Sequence, residues 1–145
     1  MSATDFRYEY RVTYADCTLG NHVYYARYLQ ILEAARGEFF RQVAEPLLTW
    51  QERGVTFPVV SCRLQFLAAA RYDEVISVAM WLRELRGARL TFGFELAVAP
   101  GRRVLEGETY HACATLAERP QRLPKELVER LRPYLRLDPP RSEAA

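Results

Sequence analysis

The stretch YADCTLGNHVYYARYL, Tyr14 to Leu29, changes character in its middle. Before it, Phe6, Tyr8, Tyr10, Val12 and Tyr14 alternate with Arg7, Glu9, Arg11 and Thr13, the period of two that a half-buried strand imposes. After it, from about Val23 to Val43, there is no proline, and Val23, Ala26, Leu29, Ile31, Leu32, Ala34, Ala35, Phe39 and Phe40 spread round much of a helix. A helix that is apolar over so much of its circumference needs other structure wrapped round it. Between strand and helix lies a polar Cys-Thr-Leu-Gly-Asn-His turn, where Asp16, Thr18, Asn21 and His22 are the candidate chemical groups.

What can wrap the helix follows downstream. After a looser segment with Pro46 and Gly54, and a short helical piece around Leu47 to Arg53, the pattern is almost all strand. Phe57 to Ala68, Tyr72 to Leu85, Arg89 to Ala99 and Arg103 to Leu116 read as four strands, with Arg86-Gly87 and Pro100-Gly101 supplying turns between the later ones. Pro124 opens a short amphipathic helix over Lys125 to Leu135. Short turns suit antiparallel neighbours, whereas a parallel sheet would need a helix in every crossover, for which the second half has no room. The expectation is an α+β domain over 1–137, a five-stranded antiparallel sheet curled round one long helix, with a disordered tail at 138–145. An open sheet of this size leaves an edge strand and a half-exposed face, which implies self-association as a homodimer at least.

Composition narrows the function. Twenty basic and eighteen acidic residues, interspersed, give a net charge of +2, which argues against a nucleic-acid or membrane-surface protein. Cys17, Cys62 and Cys113 are odd in number and far apart, fitting neither a disulfide framework nor a zinc site, so reduced thiols in a cytoplasm are expected. No run approaches the roughly 18 apolar residues of a membrane span, and no leader opens the chain.

The segments YADC…GNHVYYARYL…EAARGEFF, FPVVSCRLQFLAAARYDEVISV, LRELRGARLTFGFEL and QRLPKELVERL, in that order, resemble the hot-dog-fold acyl-CoA thioesterases, the 4-hydroxybenzoyl-CoA thioesterase and YbgC-like group. The resemblance spans about Phe6 to Leu131. It implies hydrolysis of an acyl-CoA thioester with no metal and no bound cofactor, in a homodimer or dimer of dimers with active sites at subunit interfaces. It also implies that a backbone N–H at the first turn of the long helix polarises the thioester carbonyl, and that amide falls at Tyr25, with Tyr24 beside it. Free N–H groups and the positive end of the helix dipole suit a developing oxyanion there.

The chain departs from the group at the catalytic carboxylate. Members carry Asp-x-Asp after the first strand, and here the triplet is Asp16-Cys17-Thr18. A threonine hydroxyl has no pKa near neutrality and cannot serve as general base. Asp16 and His22 are the two groups able to take over, and related hot-dog thioesterases with HVNN in this loop place a catalytic histidine where His22 stands. An imidazole with an ordinary pKa of ~6.5 can activate water at neutral pH, with Thr18 and Asn21 orienting it. The resemblance further places the CoA phosphates at Arg86 and Arg89 and lines the acyl pocket with Tyr24, Val60 and Ser61. The second reading is a non-catalytic acyl-thioester-binding protein that has lost its carboxylate at Thr18.

Overall fold

The computed structural model describes residues 5–136. The expected tail, 138–145, lies outside them. The elements are β1 (Phe6–Arg11), β2 (Cys17–Thr18), β3 (His22–Val23), α1 (Arg27–Val43), α2 (Leu47–Glu52), β4 (Val59–Phe66), β5 (Val75–Arg86), β6 (Arg89–Val98), β7 (Arg102–Ala112) and α3 (Lys125–Leu131). Five strands form one antiparallel sheet in the order β1-β5-β6-β7-β4. The sheet curls round α1, the α+β arrangement expected from the sequence.

The core sits between sheet and helix because β6 and α1 both present large apolar groups there. Leu90, Phe92, Phe94 and Leu96 of β6 are buried, as are Tyr28, Ile31, Leu32, Ala35, Phe39 and Phe40 of α1. Phe39 lies at the centre of an aromatic cluster, edge-on to Phe6 at 5.1 Å and to Phe92 at 5.6 Å between ring centroids. Such pairs add about 0.5–1.5 kcal/mol beyond the area they bury. One polar cluster also ties helix to sheet. His111 of β7, buried, has Nδ1 3.0 Å from Arg36 Nη1, and Nε2 3.0 Å from Thr109 Oγ1. Nδ1 also lies 3.2 Å from the Phe57 carbonyl oxygen, so the ring is held on both sides. Burial, and then the Arg36 charge, push its pKa down to about 4.

Element ends differ from the expected ones in a way that matters for the site. The long helix begins at Arg27 rather than near Val23, since His22 and Val23 pair back with Thr18 and Cys17 in a two-stranded ladder. Gly20 and Asn21 both adopt positive φ in the turn that closes this ladder, +80° and +57°. The first strand ends at Arg11, not Tyr14, because Tyr14–Asp16 winds into a 3-10 turn. The last strand ends at Ala112, where Cys113 and Ala114 turn to bond Ala88, Thr56 and Gln121 instead of a ladder partner.

The two sheet edges are unlike. At one, β1 is followed on the same neighbour by Leu135, which bridges Leu82 in parallel. At the other, β4 is exposed along almost its whole length, including the large apolar residues Val59, Val60 and Phe66. An exposed apolar edge of this kind is a template for pairing with another chain.

Candidate active site

The polar turn is built on Asp16. Its carboxylate is buried, and Oδ2 accepts three hydrogen bonds: from Tyr10 Oη at 2.6 Å, from the Thr13 N–H at 2.8 Å and from Thr13 Oγ1 at 3.0 Å. Thr13 and Asp16 thereby complete a capping box on the 3-10 turn. Arg27 Nε lies 3.9 Å from the other oxygen and its Nη2 donates to the Ala15 carbonyl. Burial by itself raises the Asp16 pKa, but the Tyr10 and Thr13 bonds, with the Arg27 charge, outweigh it and hold the carboxyl below the ordinary range. Oδ2 is thus fully engaged while Oδ1 faces the Arg27 charge, and the carboxylate's affinity for a proton is reduced, which works against a general base.

The backbone of Asp16 positions the entry to α1. Its carbonyl accepts from the Tyr24 N–H at 2.8 Å, and the Tyr24 carbonyl accepts from the Arg27 N–H. Val23 is buried and bonds the Ala70 carbonyl, which pins the turn against the 68–74 loop. Asn21 Oδ1 accepts from the Tyr72 N–H, and Arg71 reaches the Gly20 carbonyl. Between these anchored residues the Tyr25 N–H has no acceptor among the described residues. It is a free donor at the turn leading into a 17-residue helix whose first turn carries no acidic side chain.

Thr18 and His22 face each other across the small ladder, so their side chains lie on one face of it. His22 is exposed, its ring packed over Gly20, where a Cβ would stand 3.7 Å from Nε2. Its ring nitrogens have no hydrogen-bond partner among the described residues. Asn21 is turned toward Tyr72, so its oxygen serves the loop closure. Tyr24 and Tyr25 are exposed beside the free amide, with ring centroids 4.9 Å apart. Among the described residues no group of three or more His, Cys, Asp or Glu is arranged to hold a metal ion.

The remaining expected residues lie elsewhere in the subunit. Val60 and Ser61 are exposed at the Val59 end of the free edge strand. Arg86 and Arg89 face each other at the tip of the β5–β6 hairpin. The polar turn is tied to the opposite end of β5, where Val12 bonds the Glu74 carbonyl. Eleven residue steps at ~3.3 Å separate those ends, about 36 Å along the strand, so one subunit does not bring the basic hairpin to its own Tyr25 amide. Glu33, further along the same helix, has a side chain 65% exposed and pairs with Arg36 at 2.9 Å.

Sequence reasoning overlooked Tyr10, Thr13 and Phe66. The Thr-x-x-Asp spacing of Thr13 and Asp16 was the available signal for Thr13. Phe66, at the end of β4, meets Tyr25 edge-on at 6.3 Å and Tyr28 at 5.9 Å. No local pattern announces a contact between residues about forty positions apart.

Comparison with known proteins gives the family of the chain. Residues 12–131 match the thioesterase-like superfamily. The chain is 30% identical over 129 residues to the acyl-CoA thioester hydrolase YbgC of Escherichia coli O6:H1, covering 88% of this chain and 96% of that protein. Among solved structures, a hypothetical protein, TT1821, from Thermus thermophilus matches with a TM-score of 0.81 at 34% identity, covering 88% of this chain and 98% of that one. The dynemicin thioesterase matches with a TM-score of 0.83 at 25% identity, covering 93% and 100% of the two chains. The chain therefore belongs to the thioesterase-like superfamily, with the hot-dog fold, among its YbgC-like members.

Proposed function

We propose that the protein hydrolyses acyl-CoA thioesters to the free acid and CoA by attack of water, at the turn that leads into α1. The observation that carries this reading is the unpaired Tyr25 N–H, presented by a backbone that Asp16 and Val23 hold in place. The thioester oxygen accepts from that N–H, which stabilises the negative charge that develops on it. His22 takes the proton from the attacking water, with Thr18 opposite it in the ladder to orient that water. Hydroxide adds to the carbonyl carbon, the tetrahedral intermediate collapses, and the CoA thiolate leaves and takes up the proton. Of the two candidate bases, the occupied carboxylate of Asp16 favours His22.

The reading includes a second copy of the chain. The exposed β4 edge offers the pairing surface, and Arg86 and Arg89 of one subunit serve the CoA phosphates in the site of another. Three free thiols, Cys17, Cys62 and Cys113, support a cytoplasmic setting. Hydrolysis of a panel of short, medium and aromatic acyl-CoAs, followed by a thiol reagent that reports free CoA, tests the function. Turnover above the uncatalysed rate is expected. Tight binding of acyl-CoA without turnover would replace the enzyme by the non-catalytic binding protein.

A further inference from the structure

The Tyr25 N–H lies within a short span of chain whose two ends are held by one residue of the 68–74 loop. Ala70, fully buried, accepts from the Val23 N–H at 2.9 Å and donates its own N–H to Tyr28 Oη at 3.3 Å. Where the free amide stands is therefore set by where Ala70 stands. The peptide that joins Ala69 to Ala70 is held at its other end too, since the Ala69 carbonyl accepts from Arg102 Nη2 at 3.1 Å. Arg102 comes from the start of β7, and the same nitrogen lies 2.7 and 2.8 Å from the two carboxylate oxygens of Glu74. Glu74 draws the loop together around this contact. Its Oε1 accepts the Arg71 N–H at 2.7 Å, and its carbonyl accepts the Val12 N–H at 2.8 Å, just ahead of the Thr13–Asp16 turn.

We propose that Arg102 is a positioning residue for the hydrolysis: with Glu74 it anchors the Ala69–Ala70 peptide, and through that peptide it fixes the Tyr25 N–H where the thioester oxygen gains charge. The proposal rests on the reading of the Tyr25 turn as the site. A peptide group is planar, so one held at its carbonyl by Arg102 and at its N–H by Tyr28 has no freedom to turn. Water screens the attraction within this partly exposed ion pair, and its contribution lies in the geometry it enforces. Without the guanidinium the Ala69 carbonyl turns toward water, and the bonds from Ala70 to Val23 and Tyr28 shift with it. An oxyanion donor works only when it is already aimed at the developing charge, and a misplacement of about 1 Å costs on the order of 100-fold in rate. Arg102 touches neither the substrate nor the reacting atoms, so its loss belongs in kcat while KM stays.

The test measures kcat and KM for CoA release well below the melting temperature of every variant. Arg102→Met should lower kcat about tenfold or more with KM within about twofold, and Arg102→Lys, whose ammonium still reaches Glu74 or the Ala69 carbonyl, should recover part of the loss. Tyr28→Phe removes the acceptor at the other end of the same peptide. Because both substitutions act through one group, the double variant should fall no more than about twofold below the weaker single one. Arg103→Met is the control, since the next residue of β7 pairs instead with Glu95, at 3.1 Å, and its loss should leave kcat within about twofold. Retention of kcat within about threefold in Arg102→Met overturns the proposal, and so does a loss in Arg103→Met as large as in Arg102→Met, or a double variant whose losses multiply. Should Arg102→Met fail to fold, Arg102→Lys with Tyr28→Phe carries the same comparison. A His22→Ala variant that keeps its rate refutes the reading of the turn as the site, whereas a His22→Ala loss beside an unchanged Arg102→Met refutes only the positioning role.

Discussion

Replacing Asp16 by alanine separates a structural carboxylate from a catalytic one. The substitution strips an acceptor from three donors at once, Tyr10 Oη, the Thr13 N–H and Thr13 Oγ1, at 2.6, 2.8 and 3.0 Å. A hydrogen bond to a charged group is worth ~1.5–3 kcal/mol, and since Thr13 is exposed and Tyr10 half-buried, water replaces the carboxylate in part and each of the three counts for about 1 kcal/mol. The expected loss is therefore about 3 kcal/mol. For a domain of this length, ~2–4 °C of Tm accompany each kcal/mol, so Tm falls by about 6–12 °C. Asp16→Asn keeps one acceptor oxygen and loses the charge, so it falls between wild type and alanine. Thermal unfolding followed by circular dichroism reads both shifts, and CoA release is measured well below the lowered Tm. An alanine variant that melts within about 2 °C of wild type yet has lost hydrolysis would mean that Asp16 acts on the reaction and not on the fold.

Two further outcomes follow from the packing. His111 has a folded pKa pushed down to about 4 from an ordinary 6.5 by burial and by Arg36, so the unfolded chain binds a proton that the folded one refuses. Stability is then whole above pH 6.5 and falls as the pH drops toward 4, by about 3 kcal/mol at ~1.4 kcal/mol per pKa unit. Urea midpoints at pH 7 and pH 4.5 check the slope, which His111→Gln should flatten. Gly107→Ala should prevent the β4–β7 pairing, since a Cβ there would sit 1.9 Å from the Arg63 carbonyl oxygen, a backbone atom. A loss of about 3 kcal/mol or more is expected, read as a lower Tm with early hydrogen exchange along β4.

The fold was legible because its signals are local and repetitive. The alternation through Leu90, Phe92, Phe94, Leu96 and Val98 marks β6, and the wide apolar band of α1 requires a sheet to enclose it. The site was legible only as a location. That Thr18 cannot replace a carboxylate follows from its chemistry alone. That Asp16 is occupied depends on Tyr10, six residues away, and on a capping box whose spacing was present but ambiguous between turn and helix. The start of α1 was misplaced because Val23 continues the helical apolar pattern, while its N–H is taken by Ala70, 47 positions downstream. That an open sheet would leave an edge strand was legible, but which strand would lie there depended on pairing across the whole sheet.

The reaction itself is tested most directly by the rate of CoA release from the best acyl-CoA substrate in His22→Ala. A general base contributes ~10²- to 10⁴-fold, and His22 is exposed, so kcat/KM should fall at least about a hundredfold while Tm stays within about 1 °C of wild type. Retention of kcat/KM within about threefold would contradict the account, and water would then be activated by a group other than the histidine of this turn.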